Sequence, residues 1–447
     1  MKTLWRKQTK RCTSELGSVY SILSDVRRDV IVIGAGMAGI LIAHYLKEQG
    51  KSVLVLDAKE IASGQTERTT AKITSQHGLK YSSLIKTVGL EKARTYAQAN
   101  EAAIQEYERL VRMRGIECQF ERVPAYLYTL QDEKLLKEEA EAAASLGIDA
   151  FFTKETELPF PVEGAVCFKN QAQFSPLEFI KNLCTDLEIF EYTGAIAIRG
   201  RKVITKDMVM KAKNIVIATH YPMLNIPGFY FLRQHQERSY VLALSGCEKI
   251  KGMYYGVDKD GLSFRQAGEL MLLGGSSSRT GKNKSGGAYD SLMQAAKKYF
   301  PDCSREMHWS AQDCMPHDGI PFIGRYSMFT PHLYVATGFQ KWGMTSSMVA
   351  AMILRDELCG IESAYRKLYR PQRINFRAGI GNLLIDIGES AKGIAKGLIR
   401  RPHCSHMGCE LVWNPDENSW DCPCHGSRFD EDGNLLDNPA KVSTKVK

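Results

Sequence analysis

The sequence predicts an α/β protein organised around a parallel βαβ unit near its N-terminus, and three observations carry the prediction. An apolar run, Val30-Ile31-Val32-Ile33, turns through Gly34-Ala-Gly36-Met-Ala-Gly39 into the apolar stretch Ile40–Leu46, and a second run, Val53–Leu56, follows and ends on Asp57. A second strand–glycine–helix unit lies between Leu333 and Leu358. Four of the twelve cysteines fall in the 21 residues from Cys404 to Cys424, which marks a separate small module.

The first unit reads as strand, tight turn, helix, strand, acid. Gly34 permits the turn, Gly36 admits a pyrophosphate against the backbone, and Gly39 lets the helix pack close to the sheet. The helix N-terminus offers free amides to phosphates. Asp57, 18 residues past Gly39, stands where an acid bonds a ribose hydroxyl. A dinucleotide site is expected here, against the alternative of a chance glycine turn. The hydroxyl-rich loop that follows, Ser63–Thr66 and Arg68-Thr69-Thr70-Ala71-Lys72, serves either to wrap a pyrophosphate or flavin or simply as a polar turn.

Gly89–Arg114 reads as helix, Phe120–Leu130 as strand, and Glu133–Leu146 as helix with Gly147 at its C-cap. Pro176 opens another helix. Lys213–Thr219 is a buried-type strand, Pro227–Gly275 is strand-like with interrupting turns, and Gly287–Tyr299 is helix. Asp318-Gly-Ile-Pro-Phe-Ile-Gly324 leads to the strand Leu333–Ala336, the turn Thr337–Thr345 and a helix to Leu358. Ile380, Leu383, Leu384, Ile387, Ala391, Ile394 and Leu398 fall at helical spacing. That helix is expected to dock on the protein rather than lie on a membrane, because its polar face is only mildly basic.

At 447 residues and 44% hydrophobic content, two or three domains with ample core are expected. The net charge of +9 is scattered, except that nine Lys/Arg face three acids between Gly360 and Pro402. That run reads as a solvated basic face before an acidic partner or membrane surface. Residues 1–28 lack an apolar signal core, and the apolar candidate Leu333–Leu354 contains Gln340, Lys341 and Trp342. A cytoplasmic protein without nucleic-acid partners is expected, with its eight dispersed cysteines reduced.

Taken in order, Gly34–Asp57, Ile215–Thr219, Asp318–Gly324 and Gly338-Phe…Gly343-Met-Thr345 resemble the FAD-dependent oxidoreductases of the D-amino-acid oxidase type, which include glycine and sarcosine oxidases. The resemblance covers roughly residues 28–360. It implies a Rossmann-like FAD-binding domain assembled from discontinuous segments (about 28–100, 172–225 and 301–360), with an interwoven antiparallel-sheet substrate domain (about 115–171 and 226–300). By that resemblance Gly34, Gly36, Gly39 and Asp57 hold the ADP half, Thr69, Thr70, Ala218 and Thr219 line the cofactor, and Gly338, Phe339, Gly343, Met344 and Thr345 lie by the flavin ring. With one nucleotide fingerprint and no second for a nicotinamide, an organic donor is expected to reduce the flavin, an amine or amino acid losing hydride from its C–N bond. Tyr255, Arg265 and Trp342 are the substrate-side candidates. Arg265 either clamps a carboxylate or is a surface strand arginine. His77 reads as a loop histidine rather than a base, and no catalytic acid or base is assigned.

Beyond a basic linker at 361–402, the tail reads Cys404-Ser-His406-Met-Gly-Cys409 and Cys422-Pro-Cys424-His425-Gly-Ser427. Two thiolates and two imidazoles suit a [2Fe–2S] cluster or tetrahedral zinc. With Cys409 and Cys424 the strings resemble the two boxes of the Rieske family. That resemblance implies Cys404, His406, Cys422 and His425 as ligands, Cys409 and Cys424 as a disulfide, and electron delivery to an acceptor protein or quinone. At 45 residues the module 403–447 is small enough to need support. The strands that precede the first box in a full Rieske domain are missing, so the flavin part must replace them or the cluster fold is compromised. Two readings stay open beside the relay: an oxygen-using flavin oxidase with a vestigial or zinc-binding tail, and a non-catalytic redox sensor.

Overall fold

The computed structural model describes residues 3–9, 11–12, 26–373, 375–397 and 402–446. Two large sheets and one small one carry the chain. The first runs in the order Phe322–Arg325, Leu333–Thr337, Val209–Ile217, Arg27–Ile33, Val53–Leu56, Glu188–Phe190, with the Ala197–Arg199/Lys202–Ile204 hairpin appended. Its centre is parallel: Ile31 stands opposite Ile215 on one side and Leu54 on the other. Such strands are buried on both faces, which is why they read as unbroken aliphatic runs.

Helices Met37–Glu48 and Gly343–Cys359 pack together against this sheet, and Met37 through Leu46 are all buried. The approach depends on Gly39, where a Cβ would stand 1.8 Å from the Gly34 carbonyl oxygen. Gly34 itself turns at φ +111°, a conformation an L side chain rarely adopts.

The second sheet has nine strands, all antiparallel except for the Met253–Gly256/Glu121–Thr129 pair. Its edge strand Ser304–Pro316 lies within the 301–360 stretch expected in the nucleotide part, yet it pairs along its length with Gln234–Ser245. That pairing joins residues some seventy positions apart, so no local pattern announces it.

The tail forms a four-stranded antiparallel sheet, Val412–Asn414, Ser419–Asp421, Arg428–Phe429 and Leu435–Asp437. The helix predicted around 380–398 spans Phe376–Gly397, and Leu398 lies outside the described residues. It packs where preceding strands were missed. Ile394 joins the core of Cys404, Cys409, Leu411, Cys422, Cys424, Phe429 and Ala440, and Gly393 accepts the Glu410 N–H at 3.0 Å. Among the described residues no helix is long and apolar enough to cross a membrane.

Candidate functional site

The helix after Gly34 begins with Gly36 at its N-cap and no capping side chain, so its first-turn amides open onto a cleft. The Met37 N–H donates to Thr66 Oγ1 at 3.0 Å. Asp57 accepts the amides of Ala35 at 2.7 Å and Lys59 at 2.8 Å, while burial pushes its carboxyl above the ordinary range. From here a cavity of about 830 Å³ runs past Gly34, Gly36, Thr69, Thr70, Ala218 and Thr219 to Phe339, Gly343 and Met344. A helix N-terminus and a ribose-reaching acid at one end of a long cleft fit a flavin dinucleotide. Three expected cofactor residues stand behind the wall rather than in it. Gly39 packs the helix, Gly338 turns at φ +77° beside Gln234 and Pro316, and the Thr345 hydroxyl donates to the Thr74 carbonyl at 3.1 Å.

At the far end Trp342 stacks on His77 (centroids 4.8 Å apart, 15° between planes) and meets the edge of Tyr255 at 5.3 Å. Trp342 and Tyr255 line the cavity. Arg265 does not: it lies farther along its strand than the cavity-lining Ser263. Its guanidinium donates to Gln173 Oε1 and the Phe174 carbonyl, both at 2.9 Å, and to the Thr70 carbonyl. It also lies 5.1 Å over Trp5, and burial pushes its pKa down to about 9. Those contacts leave no fork for a substrate carboxylate. His77 is buried, with its ring held by the Tyr96 hydroxyl and the Thr74 carbonyl, each at 2.7 Å.

Two lysines that the sequence did not single out reach this end. Lys341 Nζ donates to the hydroxyls of Ser239 and Ser277, both at 3.0 Å, and stands 3.3 Å from Glu237 and 3.9 Å from Asp313. Burial pushes the Asp313 carboxyl up to about 6. Lys72 Nζ donates to the Tyr254 carbonyl at 2.7 Å and Ser263 Oγ at 2.6 Å, and burial pulls its pKa down to about 7. A local pattern carries no sign that a lysine will be enclosed.

In the tail, the Cys404 and Cys422 thiols hydrogen-bond each other, which draws Cys404 down to about 7. The His406 and His425 rings stand perpendicular, 5.0 Å apart. His406 Nδ1 and both ring nitrogens of His425 are buried without partners. Burial pulls the two imidazoles down to about 4 and about 3, so both are neutral near pH 7, the form in which an imidazole can ligate. Cys409 and Cys424 are joined by a disulfide that ties the loops together. A pair of neighbouring thiols and a pair of facing imidazoles with orphaned nitrogens, on two loops tied by a disulfide, fit a [2Fe–2S] cluster with unlike irons.

The module is seated on the flavin part. Gln236 Nε2 donates to the His425 carbonyl at 2.7 Å, and Gln312 Nε2 donates to the Gly426 carbonyl at 2.7 Å. Arg279 holds the Pro423 carbonyl at 2.9 Å and the Cys424 carbonyl at 3.0 Å. Asn438 donates to the carbonyls of Thr219 and Tyr221, both at 2.8 Å, and residues 435–442 form part of the cavity wall.

Comparison with known proteins agrees with both halves. Residues 29–357 match the FAD dependent oxidoreductase family and residues 398–446 the Rieske [2Fe-2S] domain. The Bacillus subtilis (strain 168) protein YhfW, named for a Rieske 2Fe-2S iron-sulfur centre, is 34% identical over 493 residues, spanning 98% of this chain and 96% of that protein. The tail alone is 43% identical over 44 residues to cytochrome b6-f complex iron-sulfur subunit 3 of a Nostoc species, 10% of this chain and 25% of that one. In fold, glycine oxidase from Geobacillus kaustophilus superposes with TM-score 0.67 at 18% identity, covering 78% of this chain and 99% of that one. L-proline dehydrogenase from P. horikoshii gives 0.64 at 17%, covering 78% and 98%.

Proposed function

Because the chain belongs to the FAD dependent oxidoreductase family and ends in a Rieske [2Fe-2S] domain, we propose that it oxidises the C–N bond of an amine or amino acid and passes the electrons through the cluster to a separate acceptor. The bound FAD supplies a hydride acceptor, and the cluster carries electrons singly. The observation that carries the relay is the shared wall between the two sites. Gln312 bonds the loop that holds His425, while its neighbours Ala311 and Asp313 line the flavin cavity.

The chain's own residues then have distinct tasks. Gly34, Gly36 and the amides after them receive the pyrophosphate, and Asp57 the ribose. Trp342, Tyr255 and Phe339 make an apolar wall that excludes water from the reacting bond. Lys341, fixed among Ser239, Ser277, Glu237 and Asp313, orients the polar end of the substrate. Gln236, Gln312 and Arg279 hold the cluster loop against the cavity. The amine or amino-acid substrate class draws support from the glycine oxidase and proline dehydrogenase folds.

The test is anaerobic reduction of the holoprotein by a panel of amines and amino acids, followed at flavin and cluster wavelengths. Flavin bleaching followed by cluster bleaching is expected. Flavin bleaching with fast oxygen turnover and an inert cluster would overturn the relay, and no bleaching by any donor would overturn the substrate class.

A further inference from the structure

We propose that the face carrying the exposed edge of the cluster docks on an anionic phospholipid membrane. His406 is the less buried of the two histidine ligands, and its Nε2 meets Asn225 Oδ1 at 2.8 Å. Asn225 begins a loop whose next residue, Ile226, is 68% exposed. On the other side, Ser405 Oγ donates to the carbonyl of Val442, which is 63% exposed. The loop after Asn225 is fastened in turn to the segment bearing Met328 and Phe329, exposed by 72% and 81%, through the Tyr326 hydroxyl on the Leu224 carbonyl. Gln372 Nε2 then bonds the Arg325 carbonyl at 2.6 Å and adds the 366–373 segment to the same face.

Aliphatic and aromatic side chains this exposed project beyond the protein's own packing. Ile226 and Val442 stand on the two loops bonded to the segment of His406, and Met328 and Phe329 on the loop fastened behind Leu224.

Charge names the occupant. The segments 220–233, 325–333, 366–373, 402–409 and 440–446 hold no Asp or Glu, and the acids next to them include Glu431 and Asp432, on the turn whose Gly433 accepts the Thr444 N–H at 2.9 Å, and Glu357, paired to Arg366 at 2.6 Å. Their exposed cations include Arg325, Arg370, Lys441 and Lys445. Projecting apolar tips among these exposed cations match an interfacial surface, where apolar side chains enter the acyl boundary and Lys/Arg meet anionic headgroups. With no membrane-crossing helix among the described residues, the attachment is peripheral. Docking does not depend on the proposed reaction. Its consequence does: if the relay operates, the electrons leave from His406 at the lipid surface, to an acceptor in or on the bilayer.

The test is co-sedimentation of the full-length holoprotein with vesicles of phosphatidylcholine alone and of phosphatidylcholine and phosphatidylglycerol in equal parts. Binding to the anionic vesicles only, weakened by salt, is expected. The exposed pair Met328→Ser/Phe329→Ser should weaken it at least about tenfold, and Arg325→Gln/Arg370→Gln about tenfold, with flavin and cluster content unchanged. Binding to neither vesicle, binding indifferent to both variants, or capture by an acidic redox protein without vesicle binding would each overturn the proposal. Because no donor is present in this assay, it can succeed where the anaerobic reduction fails, and the reverse.

Discussion

Two glycines of one helix should respond in opposite directions to the same substitution. In Phe376–Gly397, an added Cβ at Gly388 meets nothing within 4 Å, whereas at Gly393 it would stand 2.4 Å from Cys424 Sγ and 3.5 Å from Cys409 Cβ. Alanine in place of a helical glycine gains about 1 kcal/mol of helix propensity. Gly388→Ala should keep most of that gain. At Gly393 the obstacle is a disulfide sulfur, one bond network away from the loop that carries His425, so relief requires moving that loop. Overpacking of this kind costs about 1–3 kcal/mol, which offsets the propensity gain and leaves a net loss of up to about 2 kcal/mol. The assay is heating of the holoprotein while the cluster's visible circular dichroism is followed. Gly388→Ala should lose its cluster at or above the wild-type temperature, and Gly393→Ala below it, with flavin release unmoved in both. Shifts of the same sign in the two variants would refute the claim that this helix is the floor of the cluster module.

Five further outcomes follow. Gly36→Val should abolish flavin binding, since even a Cβ there reaches 3.2 Å from Thr66 Oγ1 at the pyrophosphate approach; bound flavin at wild-type stoichiometry would contradict it. Trp342→Ala should raise KM or lower kcat with flavin retained. Arg265→Ala should instead destabilise, because three acceptors lose a buried donor at about 1–3 kcal/mol each; an altered KM in a fully stable Arg265→Ala would return the arginine to the pocket. Asp386 accepts from His235 at 3.0 Å and His317 at 2.5 Å, and from Arg279. Burial raises its carboxyl, but the histidines and Arg279 outweigh that and hold it well below the ordinary range, while His235, lowered by burial, is raised on balance by Asp386 and Glu237. The carboxylate's contribution is therefore lost as pH falls through its depressed value, and the imidazole's as pH rises through its raised one. Module docking, read as the temperature of cluster loss, should be firmest in mildly acid to neutral buffer. Asp386→Asn should flatten that profile and lower stability by about 3–5 kcal/mol. Finally, the excised peptide 403–447, lacking Gly393, Ile394, Gln236 and Arg279, should assemble no cluster with iron and sulfide, read by electron paramagnetic resonance.

What could be read from the chain was what local chemistry determines. The Gly34–Asp57 unit was legible because a tight turn, a close helix and an acid leave marks at fixed spacing. The cysteine and histidine cluster of the tail was legible because few other side chains supply thiolate and imidazole donors at such spacing. Arg265 misled because strand alternation says which face a side chain takes, not how far along the sheet the cavity extends. Lys72 and Lys341 were silent because enclosure of a lysine is decided by strands far away in sequence. The helix after 376 lay between these cases. Its apolar spacing announced a docked face, but Gly393, which sets its distance from the disulfide, looks like a helix weakness until the partner surface is known.

The arrangement of the tail bears on how such a protein moves electrons. A tethered module that shuttles between donor and acceptor needs a weak, dispensable seat. Here the seat includes buried amide-to-carbonyl bonds from Gln236 and Gln312, a guanidinium across two cluster-loop carbonyls, and Asn438 spanning two carbonyls of the nucleotide domain. Undocking would exchange several of these bonds at once for bonds to water, each at a net cost of about 0.5–1.5 kcal/mol. It would also open the flavin cavity, because residues 435–442 are part of its wall. A fixed geometry is therefore favoured over a swinging one, and the proposed transfer between cofactors would run inside one rigid body. It follows that the tail cannot be an idle appendage: a chain truncated before Cys404 would lose a side of its flavin site along with its cluster.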